Sequence, residues 1–128
     1  MTMTRTQKRA AAAAIATAIA IPAEGLRRVA YYDPPGILTV CYGSTTNVQK
    51  GRVYSLDECK SRLNSDMAKA IAQVDACAPG LPVNVLAAFG DAAYNLGPVI
   101  ACDRARSTAA RLLAAGHNAA ASRQLPRS

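Results

Sequence analysis

A chain of 128 residues has room for one domain, and its 15 basic against 8 acidic residues leave a net charge of +7. Hydrophobic residues make up 51%, but much of that is alanine, aromatics are only 5% and Trp is absent, so the core is shallow for its length. The basic surplus sits at both ends, with no acid after Asp103, and no helix-turn-helix, zinc-finger spacing or aromatic stacking platform goes with it. Those absences argue against nucleic acid as a partner and favour an anionic lipid or wall polymer.

The first element is a run of alanines behind a basic cluster. Arg5, Lys8 and Arg9 precede Ala10 to Ile21, an uncharged stretch of 12 residues in which only Ile15, Ile19 and Ile21 are strongly apolar. Basic-then-apolar order is the layout of an export signal, yet the stretch falls short of the ~20 residues that span a bilayer comfortably. Ala18-Ile19-Ala20 fits the small-x-small rule for cleavage, whereas weak hydrophobicity suits an anchor that slips out of the membrane intact. Residues 1–21 are therefore read as a signal peptide or a releasable signal-anchor, and residues 22–128 as the folded domain. Both versions predict export and, for the anchor, passing contact with an inner membrane.

Pro22 ends or kinks the first helix. Asp33-Pro34-Pro35-Gly36 is a strong turn signal, and Ile37 to Tyr42 reads as a strand. Its alternation puts Ile37, Thr39 and Cys41 on one face and Leu38, Val40 and Tyr42 on the other. A polar stretch from Gly43 to Gly51 leads to a short return at Arg52–Tyr54. Ser55-Leu56-Asp57-Glu58 has the form of a capping box, with Glu58 reaching back. Leu56, Cys59, Leu63, Met67, Ile71 and Val74 then repeat at helical spacing, predicting a helix from Leu56 to about Ala76. Further helices are predicted over Asn84–Leu96, about Arg104–Ala115, and Asn118–Gln124, with breaks at Pro79-Gly80, Pro82 and Gly97-Pro98. The fold class is α+β, mainly helical, with one small β-hairpin unit.

Cys41, Cys59, Cys77 and Cys102 include no C-x-x-C pair of the kind that binds zinc, and no metal site is expected. An even count behind an apolar N-terminus reads as two disulfides formed outside the cytosol. Three pairings are open, and Cys41–Cys59 with Cys77–Cys102 is preferred because each closes a moderate loop within one part of the chain.

Three polar residues in the N-terminal part form a candidate catalytic set. Glu24 follows the first helix, Asp33 opens the tight turn, and Thr39 lies on the strand after it; eight residues separate the first two and five the last two. The surrounding text carries more than the spacing does. Glu24-Gly25-Leu26-Arg27, Ala30-Tyr31-Tyr32-Asp33 and Gly36-Ile37-Leu38-Thr39-Val40-Cys41-Tyr42-Gly43 resemble the signature of phage-type lysozymes, glycoside hydrolase family 24. The likeness continues through Gly51, Tyr54, Ser55, Glu58 and Cys59, and again at Tyr94-Asn95-Leu96-Gly97, covering about residues 20–125. Within the family it is most similar to endolysins with N-terminal signal-anchor segments.

The resemblance implies a lysozyme-like fold and hydrolysis of the β-1,4 bond between N-acetylmuramic acid and N-acetylglucosamine in peptidoglycan, for host lysis. It implies Glu24 as general acid, Asp33 as the group that holds the attacking water or stabilises the oxocarbenium-like transition state, and Thr39 as a helper in positioning that water. Tyr94 and Asn95 match the family's cleft-lining helix and are candidate saccharide contacts. Neither metal nor organic cofactor is implied; the expected protein is a monomer acting in the host periplasm, transiently tethered to the inner membrane in the anchor version. Three departures stand out: Ser44 where the family usually has His, Leu38 where Trp or Tyr is frequent, and an end at Ser128 where family members continue. The last implies a shortened C-terminal lobe, and with it an alternative, a catalytically inactive wall-binding or membrane-anchored remnant.

Overall fold

The computed structural model describes residues 2–23 and 25–126. Alanine is the strongest helix former, and the alanine-rich N-terminus is a helix, α1 (Arg5–Ala23), with Pro22 in its last turn. Its start is fixed by a reciprocal cap: the Gln7 N–H donates to Thr4 Oγ1 at 3.1 Å and the Thr4 N–H donates to Gln7 Oε1 at 2.9 Å. Ala12, Ala13, Ala16 and Ala20 are buried, while Ile15 and Ile19 are 41% and 44% exposed. The helix therefore turns its smallest side chains inward. Among the described residues no helix is long and apolar enough to cross a membrane.

A two-stranded antiparallel sheet follows, β1 (Arg27–Tyr32) and β2 (Leu38–Cys41), with Tyr31 opposite Thr39 and Tyr32 opposite Leu38. The return segment adds a single bridge between Val29 and Val53. The helical part comprises α2 (Leu56–Cys77), α3 (Val83–Leu96), α4 (Val99–Cys102), α5 (Thr108–Ala114) and α6 (Asn118–Arg123). α1, α2 and α3 pack on one another, and β2 packs on α2. The core is built from Val40, Tyr54, Leu63, Met67, Ile71, Val74, Leu86 and Phe89. Where α2 meets α3, Gly90 allows the closest approach: a Cβ there would lie 2.1 Å from Ile71 Cδ1.

α1 is joined to α2 by charge as well as by contact. Asp75, in the last turn of α2 and only 1% exposed, accepts from Arg5 Nε at 2.7 Å and Arg9 Nε at 2.6 Å. Two disulfides add to this, Cys41–Cys59 tying β2 to α2 and Cys77–Cys102 tying the end of α2 to α4.

Several expectations change. β2 begins at Leu38 and is cut short because Cys41 takes a left-handed φ of 63°, letting Ser44 pair back onto Val40 through both backbone bonds. Burial does not alternate along the strand: Thr39, Val40, Cys41 and Tyr42 are all buried. The capping box at Ser55 is half formed. Ser55 Oγ accepts from the Glu58 N–H, but the Glu58 carboxylate goes to Arg52 at 2.5 Å, where a cation outcompetes a backbone amide. The helix predicted from Arg104 begins only at Thr108. Asp103 Oδ1 accepts from the N–H groups of Ala105 and Arg106 and holds that stretch as a turn, while Ser107 caps the helix through the Ala110 N–H. The short α4 is an element that the Gly97-Pro98 break concealed.

Candidate active site

Of the three expected catalytic residues, the structure describes Asp33 and Thr39; Glu24 lies outside the described residues. Asp33 sits half-buried at the mouth of the hairpin turn. Its N–H donates to the Ile37 carbonyl at 3.0 Å, its Oδ1 accepts from the Ile37 N–H at 2.8 Å, and its carbonyl accepts from Gly36 at 2.8 Å. Gly36 closes that turn with a φ of 88°, a conformation that a side chain would oppose. One backbone amide thus orients the carboxylate, leaving its second oxygen for a ligand or water.

Thr39 approaches the same peptide segment from the other side. Its Oγ1 donates to the Ile37 carbonyl at 2.9 Å, and the residue is 4% exposed. The hydroxyl proton is committed to the backbone, so what Thr39 offers to a third party is its lone pairs. The two residues are brought together through Ile37, on opposite sides of one turn.

The C-terminal half of α3 reaches the chain just after β2. The Tyr94 hydroxyl donates to the Tyr42 carbonyl at 2.7 Å, bracing the helix against the chain that leaves β2. Gly43 follows with a φ of 94°, a conformation that a side chain would oppose. Asn95 is exposed, and its Nδ2 donates to the carbonyl and Oδ1 of Asp91. Tyr94 and Asn95 line a polar cavity of about 300 Å³ together with Tyr42, Gly43, Thr45 and Asp66.

The loop that forms the near wall of this cavity is held from α2. Arg62 donates to Ser44 Oγ at 3.2 Å, the Thr46 carbonyl at 2.6 Å and the Asn47 carbonyl at 2.9 Å, and stacks on the buried Tyr54 ring. Four residues along the same helix, Asp66 lines a neighbouring cavity with Ser44. Burial raises the Asp66 pKa, against the Ser44 hydroxyl and the charges of Lys69 and Arg62. Asp91 is raised as well, by burial and against the Asn95 hydrogen bond.

Sequence reasoning did not find Arg62, Asp66 or Thr45. The signal was present: Ser44 departs from the family pattern, and Arg62 and Asp66 stand one helical turn apart on a single face of α2.

Residues 22–128 match the sequence model described as phage lysozyme. The SAR-endolysin of bacteriophage PS34 is 43% identical over 53 residues, which are 41% of this chain and 32% of that protein. The SAR-endolysin of bacteriophage PS119 is 36% identical over 76 residues, 58% of this chain and 46% of that protein. The chain thus spans less than half the length of these curated relatives. Among solved structures, the muramidase domain of SpmX from Asticaccaulis excentricus has a TM-score of 0.68 at 20% identity, covering 94% of this chain and 76% of that one. That likeness is one of fold, a small hairpin set against a helical body. The family match takes in the hairpin, the loop that Arg62 holds and the Tyr94–Asn95 wall, and on that match the chain belongs to the phage lysozyme family.

Proposed function

We propose that this chain is an endolysin that hydrolyses the β-1,4 bond between N-acetylmuramic acid and N-acetylglucosamine in bacterial peptidoglycan. One observation carries the reading: Asp33 and Thr39, at the family's spacing from Glu24, are joined through the Ile37 peptide. Glycoside hydrolysis needs a proton donor for the leaving oxygen and a second group that stabilises positive charge or orients water. Glu24 takes the first role. Asp33 takes the second, with one oxygen anchored by the Ile37 amide and the other turned to the reacting centre. Thr39 accepts a hydrogen bond from the water that Asp33 holds. Tyr94 and Asn95 contact the saccharide from the α3 side. The basic surface favours an anionic wall.

A zymogram on purified cell walls with the oxidised protein tests this. Clearing is expected, and Glu24→Gln should abolish it. A wild-type protein that binds walls without clearing them would replace the hydrolase reading with that of a wall-binding remnant.

The proposal extends to location. Residues 1–21 direct export to the host periplasm, and the monomeric protein keeps them as a releasable anchor. Retention is supported by the packing of Ala12, Ala16 and Ala20 in the core and by the Asp75 pairing with Arg5 and Arg9. N-terminal sequencing of the exported protein should then find the chain intact at its basic end. A terminus at Ile21 would show instead a cleaved signal peptide.

A further inference from the structure

Asp66 stands where two polar cavities meet. The first, of about 300 Å³, is the one lined by Thr45, Tyr94 and Asn95; the second, of about 370 Å³, lies between the following loop and α2, with Ser44 and Lys69 on its wall. Asp66 borders both. The group facing it from the loop is the Ser44 hydroxyl, not a cation. The guanidinium of Arg62 is occupied by Ser44 and by the carbonyls of Thr46 and Asn47. The charged and titratable groups around Asp66 are Arg62 and Lys69 on its own helix, Tyr42 from the loop, and Tyr94 from α3.

A half-buried carboxylate bordered by a phenol, an amide and a threonine is a hydrogen-bond acceptor set among donors and acceptors, the composition that reads polyols. We propose that Asp66 is a carbohydrate-binding residue of this cleft, its carboxylate accepting hydrogen bonds from hydroxyl or acetamido N–H groups of a glycan lying across Thr45, Tyr94 and Asn95. The inference rests on the hydrolase reading and names a contact beyond the acid centre. It also sets a pH dependence. Ionised Asp66 offers two acceptor oxygens, whereas protonated Asp66 loses one acceptor site and its charge. Because burial raises the pKa, the loss begins at a higher pH than for an exposed aspartate, and glycan affinity falls as pH drops through that raised value.

Titration calorimetry with N-acetylglucosamine oligosaccharides, on protein carrying Glu24→Gln to prevent turnover, tests the contact directly. Asp66→Asn should weaken binding about tenfold near neutral pH and abolish the decline in affinity on acidification. Ser44→His places a cation beside Asp66, keeps it ionised further down, and should move that decline to lower pH. In wall clearing, Asp66→Asn alone should raise KM and leave kcat unchanged. Unaltered affinity and pH profile in Asp66→Asn, with the parent protein binding the oligosaccharide, would overturn the Asp66 contact and leave the hydrolase reading standing. A wild-type protein that neither binds oligosaccharide nor clears walls would overturn the hydrolase reading itself.

Discussion

The hairpin unit and the helical body are held together in different ways. Between Arg27 and Tyr54 the chain leaves Val29, Tyr32, Ile37 and Val53 half or more exposed, and its shape comes from directional bonds. Asp33 with Ile37, Val40 with Ser44, Arg62 with the loop carbonyls and Tyr94 with Tyr42 each fix a particular backbone group. The helical body relies on close contact, with Leu63, Met67, Leu86 and Phe89 in the core, alanines of α1 inside and Gly90 against Ile71. Directional bonds set positions within tenths of an ångström at modest net energy, while close contact supplies stability but little chemistry. Substitutions in the two regions should therefore separate activity from stability.

The largest effect is expected on the hairpin side. Asp33→Ala should slow wall clearing by roughly 10²–10⁴-fold while moving the thermal midpoint little. A clearing rate close to wild type would break the division at once. Next comes the covalent tie between the two regions. Replacing Cys41 and Cys59 together by Ser should cost about 2–4 kcal/mol in denaturant unfolding and loosen the Thr39 strand, so activity and stability should fall together. In the helical body, Gly90→Ala forces a methyl onto the buried Ile71 and should cost about 1–3 kcal/mol, with the specific activity of the folded fraction unchanged. Tyr94→Phe removes one hydroxyl donor from the Tyr42 carbonyl; a loss of about 1 kcal/mol with raised KM would show that this bond links the regions.

The smallest effect concerns pH. Burial would raise the Asp75 pKa, but the hydrogen bonds and charges of Arg5 and Arg9 outweigh it and hold the carboxyl below its ordinary value. A depressed native pKa adds stability that is complete above the unfolded value of about 3.9 and is lost as pH falls through the native one. Unfolding midpoints should therefore drop below about pH 4, and Asp75→Asn should flatten part of that drop.

Much of this division was legible in the sequence, because local signals act locally. The Asp33-Pro34-Pro35-Gly36 turn, the Ser55 cap and the apolar repeat from Leu56 to Val74 depend on residues close in the chain. The hairpin and α2 follow from them directly. What escaped was whatever depends on competition between partners. Glu58 had two possible targets and Arg52 took it; Asp103 diverted two backbone amides and delayed α5. The spacing of Glu24, Asp33 and Thr39 and its flanking text belong to the sequence, but the route joining Asp33 to Thr39 through Ile37 needed coordinates. Asp66 was overlooked for the same reason: its spacing from Arg62 is in the sequence, but its neighbours arrive from a loop and from α3.

The inverted pattern of α1 has a consequence for which residues its positions tolerate. Ala12, Ala16 and Ala20 are fully buried where α1 packs on α2 and α3, and in a close-packed interior a larger side chain must displace a neighbour, whereas Ile15 and Ile19 look outward. Hydrophobicity along this helix is thus free to vary on one side only. Isoleucine or leucine at the three buried positions would raise the helix's affinity for any apolar phase and push it off the body in the same step. The interface therefore acts as a size filter, and the helix is poor in large apolar groups where a steric ceiling keeps it so.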